Sequence, residues 1–163
     1  MGVFARAYQS QLESLEKETN PKILDYWARR PSGDKKRNYI IAQNPHTSKK
    51  TLHKLSKSRI TSIRVAVAMN PNTSSRTLHK LSKDTCTDVQ VFVARNSNTS
   101  CKTLHWLAKY TFADIRVQVA ENKNISFKTW KLLLNDSARK VAATALKHPK
   151  SQDYLQRIKP SKF

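Results

Sequence analysis

Glycine is almost missing from this 163-residue sequence, which has only Gly2 and Gly33. That excludes a flexible Gly-rich linker and a Gly-rich phosphate-binding loop. Long apolar runs are missing as well. None approaches the roughly 18 to 20 residues of a membrane-spanning helix, although 38% of the residues are apolar, enough for one folded domain. The opening "MGVFAR" has neither a secretory-signal pattern nor the Ser or Thr of a myristoylation motif. The two cysteines, Cys86 and Cys101, have no CxxC spacing. They read as reduced thiols of an intracellular protein. The expected location is cytoplasmic, on the nucleoid if the source is bacterial, and not on a membrane.

Acid is the last scarcity. Eleven Asp and Glu face 31 Lys and Arg, a net charge of +20. Self-repulsion on that scale disfavours a compact chain unless a polyanion offsets it. Nucleic acid is the first candidate, an anionic membrane surface the second and an acidic protein the third. Catalytic patterns are missing too: there is no HExxH, no GxSxG and no cluster of carboxylates, since Asp84, Asp88, Asp114 and Glu121 are scattered. We therefore expect no catalytic residues, no cofactor, no metal site and no small-molecule substrate.

What is present is repetition. "NPHTSKKTLHKLSKSRITSIRVAVAM" begins at Asn44, "NPNTSSRTLHKLSKDTCTDVQVFVAR" at Asn70 and "NSNTSCKTLHWLAKYTFADIRVQVAE" at Asn96. Each is 26 residues long, and they abut without a gap. A fourth copy starts at Asn122, and a fifth begins at His148 and breaks off. Fixed self-similarity of this length marks stacked units that bury their apolar faces only against neighbours.

Within a unit, Asn and the Pro after it end the preceding element, with Asn expected in the left-handed conformation of a helix C-cap. Thr47, Thr73 and Thr99, or the Ser after each, are set to cap a first helix. That helix carries Leu52 with Leu55, Leu78 with Leu81, and Leu104 with Leu107 on one face. Ser62, Asp88 and Asp114 sit where a second helix would be capped. That second element is apolar nearly all round, as in "DIRVQVAE". Its period-two alternation also suits a strand, but the Ala-rich "KVAATALK" of the fourth copy favours a helix.

The stretch "RVAVAMNPNTSSRTLHKLSKD" resembles the variant leucine-rich repeat, whose units run as V-x-x-x-V-A-x-N-P-N-T followed by an L-x-x-L helix. The likeness covers residues 39 to 150. It implies paired short helices in a right-handed superhelix akin to armadillo and HEAT arrays. The iron–sulfur cluster of one member type needs an added cysteine-rich segment that this sequence lacks, so no cluster is implied.

The expected fold is all-α: a right-handed α-solenoid of about five 26-residue two-helix repeats with capping helices. Residues 1–43 would form the N-terminal cap and a degenerate first repeat, 44–147 the four repeats, and 148–163 a half-repeat cap and tail. Phe4, Tyr8, Leu12 and Leu15 form a helical stripe near the start. "RRPSGDKKR" reads as a basic loop that touches the same partner, with a nuclear signal or phosphorylation at Ser32 as the alternatives.

Repeat positions 7, 10, 11 and 14 fall on the side of the first helix away from the leucines, at about 100° per residue. They are Lys50, His53, Lys54 and Lys57, then Arg76, His79, Lys80 and Lys83. The third and fourth copies supply Lys102, His105, Trp106 and Lys109, then Lys128, Lys131, Leu132 and Asn135. Arg64 and Arg116 add charge from the second element. No acid interrupts this set, whereas ordinary solvated helices interleave signs. Lys50, Arg76, Lys102 and Lys128 lie in first turns, where a phosphate held by the helix start would turn an unfavourable cation into a clamp. The three histidines recur one repeat apart, too far for one zinc ion. Trp106 is suited to stacking on a base or packing on a neighbouring repeat.

These features point to a nucleic-acid-binding repeat protein, with duplex DNA favoured over RNA because evenly spaced clamps suit a regular phosphate backbone. A protein-interaction scaffold for an acidic partner is the rival. A HEAT-like alkylpurine DNA glycosylase, with Trp106 and Asp114 as its Trp and Asp, is the enzymatic alternative.

Overall fold

A computed structural model describes residues 3–30, 34–109 and 112–152, with the backbone alone at residues 3 and 4. All of its regular structure is helical. Helix α1 spans Val3–Lys17, α2 Pro21–Arg29 and α3 Lys35–Gln43. Then come α4 (Lys49–Leu55), α5 (Thr61–Met69), α6 (Ser75–Leu81) and α7 (Thr87–Arg95). Next are α8 (Cys101–Leu107), α9 (Ala113–Glu121), α10 (Phe127–Leu134) and α11 (Arg139–Lys147). The second element of each copy is thus a helix, and no strand occurs among the described residues. The turn chemistry decides this, because each "IRVAVA"-type run is followed by an Asn that closes it after two and a half turns.

Helix starts keep the sequence period: Lys49, Ser75, Cys101 and Phe127 are 26 apart, as are Lys35, Thr61, Thr87, Ala113 and Arg139. The second helices pack directly in series, α3 on α5, α5 on α7, α7 on α9 and α9 on α11. Each first helix seats between the second helices of its own and the preceding unit. The leucine pairs face that seat and are buried, as are Ile63, Val89, Ile115 and Val141 at one repeat position of the second helices. Each such side chain stabilises the stack by about 1.5 to 3 kcal/mol relative to exposure. Trp130 takes a leucine position in α10, and its indole N–H donates to the Ala145 carbonyl at 2.9 Å. Leu12 and Leu15 of the α1 stripe are buried, while Tyr8 is half exposed and hydrogen-bonded to Asp34. The Phe4 side chain, Ser32 and the chain after residue 152 lie outside the described residues.

The first Asn of each unit corrects the expected cap. Its backbone is extended rather than left-handed, with φ −65° at Asn44, −66° at Asn70, −68° at Asn96 and −75° at Asn122. The residue is chosen for its side chain. Asn70 Nδ2 donates to the Ala42 and Asn44 carbonyls at 2.7 and 2.8 Å. Asn96 does the same to Ala68 and Asn70, and Asn122 to Ala94 and Asn96. Each Oδ1 meanwhile accepts from the N–H two residues on, as Asn70 does from Asn72 at 2.8 Å. Asn44 starts the ladder on the Leu15 and Glu18 carbonyls at the end of α1.

The rest of the N-P-N-T turn follows. Asn72, Asn98 and Asn124 donate to carbonyls of the preceding turn. Thr47, Thr73 and Thr99 are not caps: they donate back to the carbonyls of Ile41, Val67 and Val93. The serines that follow are the caps, with Ser48, Ser74, Ser100 and Ser126 accepting from Thr51, Thr77, Thr103 and Thr129 N–H.

Asn96→Ala leaves the Ala68 carbonyl and the Asn98 N–H without partners and takes one of two partners from the Asn70 carbonyl, so it should lower unfolding free energy by about 3 kcal/mol. Ser100→Ala, which removes one cap, should cost only about 1 kcal/mol. Urea denaturation of the two variants checks this, and an Asn96→Ala loss no larger than the Ser100→Ala loss would contradict the ladder.

Candidate functional site

The first helices are short because their ends are fixed at both sides. A Ser caps each start, and the Ser or Ala after each second leucine closes α4, α6 and α8. Two turns leave one apolar face and one outward strip. On that strip all ten cations expected from the sequence are exposed: Lys50, Lys54, Lys57, Arg76, Lys80, Lys83, Lys102, Lys109, Lys128 and Lys131. None of them belongs to the ion pairs found among the described residues. Trp106 and Leu132, which replace a cation at one repeat position, are 39% and 41% exposed.

The histidines join neighbouring units. His53 Nδ1 lies 3.2 Å from Thr77 Oγ1, His79 Nδ1 3.1 Å from Thr103 Oγ1, and His105 Nδ1 3.0 Å from Thr129 Oγ1. Each of these threonine hydroxyls also meets the capping serine of its own helix, at 2.8 to 3.0 Å. A chain of hydroxyls and imidazole therefore joins α4 to α6, α6 to α8 and α8 to α10. Partial burial pushes the His53 pKa below its ordinary value, and Lys80, Lys57 and Arg76 push it further. His105 is lowered by burial and then by Lys109 and Lys128. Cations of two adjacent units thus converge on one imidazole. A neutral ring that accepts the Thr proton at Nδ1 keeps its own proton on Nε2, a donor for an acceptor on this face.

This chain also changes the expected clamp. The capping hydroxyls are already engaged inside the protein. At α4 the Asp25 carboxylate receives both Ser48 and Thr51 hydroxyls at 2.6 Å. What Lys50, Arg76, Lys102 and Lys128 offer a ligand is an exposed charge, without a vacant cap beside it.

Arg64 and Arg116 correct the expected ribbon. Arg64 binds Asp84 of the next unit through Nε and Nη2, at 2.7 and 3.0 Å. Arg116 binds Asp136 the same way, at 2.6 and 2.9 Å. These pairs are mostly buried, and each staples two units together. Burial raises the Asp84 and Asp136 carboxyls, but the guanidinium bonds and the N–H of Cys86 or Ala138 outweigh it and leave both below the ordinary range.

The expected caps of the second helices differ too. The N-cap positions are Ile60, Cys86 and Phe112, without side-chain caps, so Ser62, Asp88 and Asp114 lie inside the first turn. Asp114 is exposed beside Lys140 at 3.4 Å.

Clefts border the basic strip. One of about 480 Å³ is lined by His105, Lys109, Lys128, Lys131, Leu132 and Asn135, between α8 and α10. An adjoining cleft of about 300 Å³ reaches the Arg116–Asp136 pair. A third, of about 340 Å³, brings Arg29 and Arg30 beside Lys54 and Lys57. Those two arginines were legible only as part of a basic turn; their place next to α4 follows from α2 standing where a first helix stands. Arg30 also lies over the Tyr26 and Trp27 rings, at 5.1 and 5.4 Å. No three His, Cys, Asp or Glu side chains come together as a metal site among the described residues, and no helix there is long and apolar enough to cross a membrane.

In comparison with known proteins, no family model matches the chain, no curated protein matches it, and no solved structure matches it.

Two acid-sensitive sets predict a two-stage loss of stability. His53, His105 and His148 have lowered pKa values in the folded chain, so the unfolded chain takes up protons first. Unfolding free energy then falls as pH drops from about 7 to about 5. Asp84 and Asp136 are also lowered, so their contribution is full above about pH 4 and is lost as pH falls through their folded values. Thermal melts of the free protein at pH 7.5, 5.5 and 3 measure both stages; an unchanged Tm between 7.5 and 5.5 contradicts the first.

Proposed function

We propose that this protein binds nucleic acid, with duplex DNA as the preferred form, along the basic strip of its first helices. The proposal includes the finer architecture: a right-handed α-solenoid of about five 26-residue units, capped at both ends and related to variant leucine-rich repeats. It is a binding protein in this reading, not an enzyme, and it works inside the cell.

The carrying observation is the convergence at the joints. Lys109 of one unit and Lys128 and Lys131 of the next line one cleft with His105, and at His53 the cations Lys80, Lys57 and Arg76 of two units add to the lowering that burial causes. A chain under no demand to hold an anion would interleave acids there. A polyphosphate neutralises several such joints at once, which is why a polymer suits the strip better than a single small anion. The near-uniform columns favour backbone contacts over base reading, and a regular duplex meets evenly spaced cations better than a single strand does. The Arg29–Arg30 cleft extends the strip onto α2.

Neutralising about five phosphates gives a slope of log K against log salt near −4.5. Titrating a labelled duplex at several salt concentrations measures it. A slope shallower than about −2, or tighter binding to an acidic polypeptide than to DNA at moderate salt, favours the scaffold reading instead. Lys50→Glu, Arg76→Glu and Lys102→Glu together should weaken duplex binding at least a hundredfold while leaving the far-UV circular dichroism unchanged. All three side chains are exposed, so a loss of helix would be unexpected.

A further inference from the structure

The strip changes character along the chain. In the first two copies, repeat positions 11 and 14 are lysines: Lys54 with Lys57, then Lys80 with Lys83. In the fourth copy they are Leu132 and Asn135. That replacement lies in the cleft of about 480 Å³ between α8 and α10, whose other lining residues are His105, Lys109, Lys128 and Lys131. The volume falls within the range of small-molecule sites.

We propose that this cleft receives an unpaired nucleotide of the bound strand, at an overhang or break, so that the protein prefers duplexes with a single-stranded extension. The inference rests on the nucleic-acid reading above. The chemistry divides as a nucleotide does. Lys109, Lys128 and Lys131 supply ammonium groups for the phosphate. His105 has its ring fixed by the contact of Nδ1 with Thr129 Oγ1, and in the tautomer that accepts the Thr129 hydroxyl its Nε2–H is a further donor. Leu132, 41% exposed, offers an apolar surface to a base face. Asn135 donates its Nδ2 to the Lys131 carbonyl at 2.9 Å, which turns its Oδ1 into an acceptor for an amino group on a base edge. A paired base shows neither its face nor its whole edge, so only an unstacked one uses all three parts. Trp106, at the same repeat position one unit earlier, gives an exposed ring for the neighbouring base.

The test compares four probes by fluorescence anisotropy: a blunt duplex, the same duplex with a three-nucleotide extension, that extension made abasic, and a free nucleoside monophosphate as competitor. The abasic probe carries the same phosphates, so it separates the base from the charge. The natural extension should bind about tenfold tighter than the blunt or abasic probe. Leu132→Lys, which restores the residue type of the first two copies on an exposed position, should remove that gain while keeping or strengthening blunt-duplex binding. Equal binding of the natural and abasic extensions overturns the cleft and leaves duplex binding standing. So does a gain that survives Leu132→Lys combined with Asn135→Ala. Competition by the free nucleotide at micromolar concentration would make the cleft a site for a small ligand rather than a strand. Failure of every DNA probe to bind overturns the nucleic-acid reading together with the cleft.

Discussion

The asparagine that opens each unit carries the architecture. Its amide donates to two carbonyls where the neighbouring second helix ends, and accepts one N–H of its own turn. Second helices that end after two and a half turns leave carbonyls inside the stack, out of reach of water. An orphaned buried carbonyl costs about 1 to 3 kcal/mol, and the ladder satisfies one at the end of each helix. Aspartate has no donor for those carbonyls, and glutamine is a methylene too long to reach back to its own turn. Because donor and acceptor act together, the ladder also fixes how far one unit is displaced along the next. At the last step His148 stands in the asparagine position and accepts the turn N–H of Lys150, at 3.1 Å. Its ring also meets the Asn122 backbone one unit back, the same position that the asparagines reach.

A fixed displacement repeats every side chain at a fixed spacing, for better or worse. It stacks the leucines and it also stacks the lysines. The scarce acid is placed where it holds parts together. Asp84 and Asp136 staple adjacent units through Arg64 and Arg116, Asp34 caps α3, and Asp25 bridges two hydroxyls at α4. Asp88 and Asp114 lie in first turns of second helices, where the macrodipole favours them. The outward strip of the first helices is left without carboxylates, so its charge is uncompensated by design of the same sequence that compensates its joints.

The period, the two helices per unit, the buried leucine pairs and the exposed cations were legible because each depends on spacing within a unit. The roles that escaped depend on a neighbour. Nothing local distinguishes an asparagine at a left-handed cap from one whose amide reaches across the joint. Thr73 and Ser74 are both plausible caps until the preceding helix supplies a carbonyl for the threonine. Arg64 looked like one more cation because its partner comes 20 residues later on another unit. A signal for it did exist. Arg64 and Arg116 are each followed by an aspartate at that distance, while Gln90, which replaces the arginine in the intervening unit, is followed by Tyr110. The histidines were placed on the right face, but their threonine partners lie 24 residues on and could not be seen from one unit.

The same comparison between units locates the strain that a ligand would relieve. Lys50, Arg76, Lys102 and Lys128 stand in first turns that contain no acid, against the positive end of the macrodipole, at a cost of about 0.3 to 1 kcal/mol each. At α4 the chain offsets this itself, since Asp25 seats its carboxylate on the capping hydroxyls. At α6, α8 and α10 the corresponding partner is an imidazole nitrogen in place of a carboxylate. The first-turn cations of α6, α8 and α10 therefore lack the carboxylate that α4 has beside its cap, while the strip itself loses a cation where Trp106 and Leu132 stand. On the nucleic-acid reading, a phosphate at α6, α8 or α10 would meet a first-turn cation that no carboxylate offsets, so the place of Asp25, and not only the total charge, would bear on how a polyphosphate lies along the strip.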